Sequence, residues 1–325
     1  MVGFRIGGVI LAALGALVAG CSEPVADSIV VPADPDRGFH YPYILSFPEG
    51  EPTTAPGFLL VEPNNTGRVS DDPAVHLEAA RELARNAIGG HVARALKIPL
   101  LVPVFPRPES QWRVYTHLLD RDVMTLRDDP MARPDLQLLA MVDDAVTRLL
   151  ERGYVADRRI LLTGFSASGA FANRFTLLHP HRVRAVASGG VNGLLMLPVP
   201  QLAGETLDFP LGIADYAELT GRPFDLAAWR EVPQFAYMGA EDENDAVLYD
   251  DGYSEAEREI VFAAFGERMQ PDRWKSCREV YDESGARARF RTYKGVGHGT
   301  NSAVNDEIVR FFASVLADGN PAVPR

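Results

Sequence analysis

Ile160-Leu161-Leu162-Thr163-Gly164-Phe165-Ser166-Ala167-Ser168-Gly169-Ala170-Phe171 is the stretch on which the reading of this chain turns. Three aliphatic residues have the character of a fully buried strand; a turn of small residues follows, then a helix, with Ser166 at the apex. A serine at such a strand-to-helix turn is held in a strained backbone conformation, so the residues two places to either side must be small. Gly164 and Ser168 fill those places. The turn also brings the hydroxyl close to a helix N-terminus, where backbone N–H groups can stabilise an oxyanion.

On either side of this segment, from about residue 40 onward, short apolar runs alternate with segments of helical period. That alternation is the mark of a mostly parallel sheet with helices on both faces. Phe58 to Val61, Leu100 to Phe105, Val183 to Ala187 and Phe235 to Met238 read as further buried strands. Leu136, Leu139, Val142, Val146 and Leu149 form a helical stripe that Gly153 ends. Arg287, Arg289 and Arg291 alternate with Ala288, Phe290 and Thr292, as in a half-exposed strand near a sheet edge. Val304, Ile308, Phe311, Phe312 and Val315 give the last helix its apolar face. Residues 193–231, rich in Leu and Pro and without a clear period, read as an insertion over the C-terminal edge of the sheet, where a cap lies.

Gly164-Phe165-Ser166-Ala167-Ser168 resembles the G-x-S-x-G motif of the α/β-hydrolase superfamily, with Ser168 in place of the second glycine. The resemblance implies an α/β-hydrolase fold over residues 39–325 and a triad in the order serine, acid, histidine. Gly239-Ala240-Glu241-Asp242 resembles the family turn that carries the acid, which assigns Asp242. Asp245, one helical turn further on, is the alternative if that loop is wound more tightly. Gly295-Val296-Gly297-His298-Gly299 resembles the histidine loop. Ser166 is then the nucleophile and His298 the general base, held in the correct tautomer by the carboxylate. The backbone N–H of Ala167 supplies one oxyanion donor. Asn64 or Asn65, in the loop after an earlier strand, supplies the second, unless that loop is simply a polar turn. Trp112, Tyr115 and His117 either line a substrate cleft or pack their own loop down.

The N-terminus reads as an address. Arg5 precedes the uncharged run Ile6 to Val18, too short to span a bilayer but suited to a signal peptide. Leu17-Val18-Ala19-Gly20-Cys21 resembles the lipobox of bacterial lipoproteins, which implies removal of residues 1–20 and lipidation of Cys21. Ordinary secretion with an incidental cysteine is the alternative. Ser22, rather than Asp, after the lipidated residue points to the outer membrane of a Gram-negative host. Residues 21–38, rich in Pro and Asp, read as a flexible tether. Cys277, the other of the two cysteines, is expected to be a free thiol.

The net charge of −12 argues against a nucleic-acid partner, because phosphate backbones are met by clustered Lys and Arg. The seven histidines show no metal-binding spacing, and the chemistry implied needs neither metal nor organic cofactor. The expected partners are a small-molecule or polymeric ester and, through the anchor, a membrane. A peptidase of the same fold is the enzymatic alternative, and a non-catalytic envelope lipoprotein that keeps the fold for binding is the alternative from another class.

Overall fold

A computed structural model of the chain describes residues 27–48, 50, 57–65 and 67–318. The segment expected to be a signal peptide, and Cys21, lie outside the described residues.

One eight-stranded sheet organises the chain. Its strands are β1 (Ser28–Val31), β2 (Tyr43–Ser46), β3 (Leu60–Val61), β4 (Leu100–Pro103), β5 (Ile160–Phe165), β6 (Val183–Gly189), β9 (Gln234–Gly239) and β10 (Ala288–Tyr293). The remaining two, β7 (Gln201–Leu202) and β8 (Glu205–Thr206), form a separate small hairpin. The spatial order is β1-β2-β4-β3-β5-β6-β9-β10. Pairing is antiparallel from β1 to β4 and parallel from there to β10. Such a sheet is covered on both faces, which explains the near-continuous aliphatic strands. Leu60, Leu161, Ala185 and Phe235 pack against the helices Pro73–Asn86, Ile88–Leu96 and Ser302–Asp318 on one side. Val61, Leu101, Leu162, Val186 and Ala236 pack against Pro134–Glu151, Ala167–Leu178 and Trp274–Glu283 on the other.

This order positions the site. The chain leaves β3 for β4 on one flank and then returns to β5 on the other flank of β3. Connections that diverge around β3 and β5 leave a crevice at their carboxyl ends, the place where open α/β sheets bind ligands. The turn carrying Ser166 and the loop that follows β3 both stand there.

Four expectations are revised. Residues 28–38 are no tether: β1 pairs along its length with β2, Val31 is buried, and Phe39 is fully enclosed. The Pro- and Asp-rich composition hid the β-branched run Ile29-Val30-Val31, which needs only a neighbouring edge to become a strand. The helix Pro134–Glu151 buries Leu138, Met141, Val142, Ala145 and Leu149, while Leu136 is 45% exposed. That segment is apolar around most of its circumference, so its neighbours rather than its period choose the inner face. Only Leu60 and Val61 of the first apolar run form ladder pairs, although Phe58 and Leu59 are buried too.

Residues 193–231 do lie between β6 and β9, but they run down a flank instead of over the cleft. Leu194 to Leu197, Leu207, Phe209 and Leu211 join the core, and Met196 is tied through its backbone to Asn173 and Tyr281. Burying so much aliphatic surface outweighs projection into solvent, at about 25 cal/mol per Å2. None of the residues lining the cleft at Ser166 comes from this segment.

Candidate active site

Ser166 takes φ 62° and ψ −132°, between β5 and the helix Ala167–Leu178. A non-glycine residue persists in such a conformation only where its surroundings over-determine it. Here they do. A Cβ on Gly164 would overlap the carbonyl of Ser168, and one on Gly169 would overlap the carbonyl of Gly189. The Ser166 N–H donates to Gly189 O at 3.0 Å, locking the turn onto β6. Ser168, which stands where the resembling motif has glycine, contributes more than small size. Its hydroxyl accepts from the Phe165 N–H at 3.0 Å and donates to the Phe165 carbonyl at 2.8 Å, pinning the residue before the serine.

His298 Nε2 lies 3.0 Å from Ser166 Oγ, and His298 Nδ1 lies 3.0 Å from both carboxylate oxygens of Asp242. An acceptor-only carboxylate fixes the proton on Nδ1 and leaves Nε2 a lone pair for the serine hydroxyl. The Asp242 side chain is 1% exposed and that of His298 28%, so the pair runs from the interior to the cleft wall. Asp242 follows the end of β9, and its Oδ1 also accepts from the Asn244 N–H at 3.0 Å, which orients the carboxylate. The histidine loop reaches it because residue 239 is glycine: a Cβ there would overlap the carbonyl oxygens of Val296 and Gly297. The Phe165 ring packs 4.9 Å from the imidazole, centroid to centroid.

Asp245 faces elsewhere. It forms a two-pronged ion pair with Arg273, one contact being Nη1 to Oδ1 at 2.9 Å, and the Arg273 side chain is completely buried. Of the two candidate acids, the structure brings Asp242 to the histidine and commits Asp245 to a buried cation.

The remaining candidates divide. Ala167 opens its helix directly after Ser166, so its N–H has no intrahelical acceptor. The Asn64 side chain is fully enclosed and clamps Phe105, donating to its carbonyl at 2.8 Å and accepting from its N–H at 3.0 Å. It has no carboxamide group left for an oxyanion. Asn65 does line the cleft, and its Nδ2 donates to the Phe165 carbonyl at 3.4 Å. Trp112 and Tyr115 line the cleft, whereas His117 is buried beneath it. Burial pushes the His117 imidazole down to about 3, so it is neutral. Its Nε2 lies 2.8 Å from the Phe105 carbonyl, which makes it part of the loop's packing.

The cleft has a volume of about 850 Å3. The loop after Asp242 contributes Ala246 and the run Leu248 to Asp251 to its lining, and Leu248, Tyr249 and Trp112 are the exposed large apolar residues of that lining. Arg107 stacks 4.0 Å over the Tyr115 ring and pairs with Asp251 at 2.5 Å. Sequence reading passed over Asn192 and Asn244, both of which touch the reacting groups. Ser166 Oγ is 3.1 Å from Asn192 Oδ1, and Asn244 Nδ2 is 3.0 Å from His298 Nε2. The position of Asn192 three residues beyond β6, at the same sheet edge, was the available signal. Among the described residues no group of three or more His, Cys, Asp or Glu side chains is arranged to hold a metal ion. Chemically, the arrangement can take a proton from a serine hydroxyl and hold the resulting imidazolium against a buried carboxylate.

No family model and no curated protein sequence matches the chain. Solved structures do. The chain is similar to poly(aspartic acid) hydrolase-1 from Sphingomonas sp. KT-1, with TM-score 0.57 and 17% identity over 89% of this chain and 98% of that one. It is also similar to LpqC, a poly(3-hydroxybutyrate) depolymerase from Bordetella parapertussis, with TM-score 0.53 and 18% identity over 92% of both chains. At such identities it is the path of the backbone that is shared, and in that path the chain has the α/β-hydrolase fold.

Proposed function

We propose that the protein is a serine hydrolase that cleaves a neutral carboxylic ester through an acyl-enzyme intermediate. The observation that carries this reading is the relay from Ser166 Oγ to His298 Nε2 and from His298 Nδ1 to buried Asp242, each step 3.0 Å, on a strained turn. His298 takes the hydroxyl proton as Oγ attacks the ester carbonyl, and Asp242 stabilises the imidazolium that forms. The Ala167 N–H holds one side of the oxyanion, and the loop containing Asn65 borders the other. The imidazolium then protonates the departing alcohol. Water, activated by the same histidine, releases the acid.

The charge of the cleft bears on the substrate. Of the two similar structures, one acts by its name on a polymer of aspartic acid and the other on a polyester. Here Asp250 and Asp251 line the cleft, and the one arginine or lysine that lines it among the described residues, Arg107, is already paired with Asp251. Asp250 is paired in turn with Arg258 at 2.8 Å, so the charges that line the cleft offset one another and form no cationic patch to hold a chain of carboxylates. A neutral ester would instead find the apolar rim of Trp112, Leu248 and Tyr249. We further propose that Cys21 is lipidated and holds the enzyme at the cell envelope.

A fluorophosphonate probe should label Ser166, and Ser166→Ala should abolish labelling and lower kcat on p-nitrophenyl esters by roughly 10⁵–10⁶. Turnover that survives in Ser166→Ala removes the mechanism. Labelling of the wild type without hydrolysis of any ester tested removes the ester substrate.

A further inference from the structure

Asn192 and Asn244 stand against the two atoms between which the proton moves, and they also touch each other. Asn192 Oδ1 is 3.1 Å from Ser166 Oγ and 3.4 Å from Asn244 Nδ2. The same Asn244 nitrogen is 3.0 Å from His298 Nε2. Four groups therefore close a ring: serine hydroxyl, imidazole nitrogen, and two carboxamides.

Counting protons shows what the ring can do. While His298 is neutral, with its proton on Nδ1 facing Asp242, Nε2 only accepts. Asn244 then donates one N–H to Nε2 and the other to Asn192 Oδ1. Asn192 Oδ1 accepts that bond and is also a second acceptor for the serine hydroxyl, in competition with Nε2. Once Nε2 has taken the proton it becomes a donor, and the Asn244 N–H would face another N–H. A carboxamide has two ends of nearly equal size and opposite hydrogen-bonding sense. If Asn244 turns its group over, Oδ1 accepts from the imidazolium. Asn192 must turn over with it, donating one N–H to Asn244 Oδ1 and the other to the serine oxygen. In each sense the two carboxamides satisfy each other, with the single lone pair of neutral Nε2 shared between the Asn244 N–H and the serine hydroxyl in the first, whereas a mixed sense sets like against like within the ring.

We propose that Asn192 and Asn244 form a carboxamide relay whose direction follows the proton on His298, stabilising the imidazolium and steadying the serine oxygen after its proton has left. The proposal rests on the assignment of Ser166 and His298 as the reacting pair. No net chemistry is added: one proton passes from Oγ to Nε2 as before, and only the sense of three hydrogen bonds reverses. Among the described residues, Asp242 meets the far nitrogen of His298, and the charged groups lining the same cleft are the Arg107–Asp251 pair and Asp250, itself paired with Arg258.

The test is a double-mutant cycle on the full-length protein, with the rate of fluorophosphonate labelling and kcat/KM on a p-nitrophenyl ester as readouts. Asn192→Leu and Asn244→Leu should each slow labelling by roughly 10–100-fold, the worth of a hydrogen bond to a charged group. The double variant should lose little more than either single, because a relay is broken by removing one member. Asn244→Asp, which can only accept, favours the protonated imidazole and should move the acidic limb of the rate profile to higher pH. Should the leucine variants fold poorly, Asn192→Ser and Asn244→Ser complete the same cycle. Losses that multiply in the double variant, single variants that label at the wild-type rate, or an acidic limb unmoved in Asn244→Asp would overturn the relay. Ser166→Ala separates the two claims: if it hydrolyses ester normally, the reading beneath the proposal has failed; if it is dead while the cycle multiplies, only the relay has.

Discussion

Asp242 and Asp245 lie three residues apart on one loop, and replacing each by Asn should produce opposite defects. In Asp242→Asn, the new Nδ2 faces His298 Nδ1, or the new Oδ1 does so while the amide loses its hold on the Asn244 N–H. An amide donor there drives the imidazole into the tautomer with its proton on Nε2, which then points a proton at Ser166 Oγ in place of a lone pair. The same change in other triads costs about 10⁴ in kcat. Stability should hardly move, since the variant removes a buried charge rather than stranding one. Asp245→Asn strands one. Arg273 is fully buried, its two terminal nitrogens both face Asp245, and its other acceptor is the Glu267 carbonyl at 2.7 Å. Removing the partner of a buried ion pair costs about 3–5 kcal/mol. At about 2 °C per kcal/mol for a domain of this size, the melting temperature should fall by roughly 6–10 °C. Below that temperature much of the activity should remain. Measuring kcat and Tm for both variants together decides the matter. A Tm loss without a kcat loss in Asp242→Asn, or a large kcat loss at unchanged Tm in Asp245→Asn, would refute the division of labour.

Gly239→Ala should displace the histidine loop, because the new methyl meets the carbonyls of Val296 and Gly297, and a misplacement of about 1 Å costs on the order of 10² in rate; an alanine variant that labels with fluorophosphonate at the wild-type rate would contradict this. Glu62 is buried after β3, and burial lifts its carboxyl from 4.5 to about 8 despite the hydrogen bond from the Gly89 N–H. Its folded state thus favours the proton, so the stability it contributes is complete below about pH 4.5 and is lost as the pH rises through 8. Glu62→Gln should match wild type in urea unfolding at pH 4 and exceed it at pH 9, by at most about 5 kcal/mol; a pH-independent difference would be the contrary result. Cys21→Ser should leave the protein unprocessed or release it from membranes, and partitioning identical to wild type with normal processing would exclude the lipid anchor.

Ser166, Asp242 and His298 could be located from sequence because each sits beside residues that a backbone geometry demands. Gly164 lets the chain pass the Ser168 carbonyl, and Gly239 lets the histidine loop pass over β9. These requirements are local, so they leave short patterns. The buried strands were legible for a similar reason, since a strand covered on both faces must be aliphatic throughout.

Contacts between distant segments leave no such trace. Nothing in Gly190-Val191-Asn192 says that its asparagine will meet Ser166, and nothing near residue 245 says that Arg273 will come to lie against it. Asn64 and Asn65 are adjacent and chemically identical, yet one clamps Phe105 and the other lines the cleft, a division set by the segments that surround the loop. The strand Ser28–Val31 exists because β2 offers an open edge, and residues 193–231 lie along a flank because their leucines find the core there. The sequence by itself marked the parallel strands of the sheet, the strained turn and the three candidate groups that the structure brings within hydrogen-bonding distance, since each is written in residues within a few places of one another. Which asparagine faces the nucleophile, which aspartate is held by an arginine, and what walls the cleft were decided by the tertiary structure, because each depends on segments tens to a hundred residues apart that meet only when the sheet is complete.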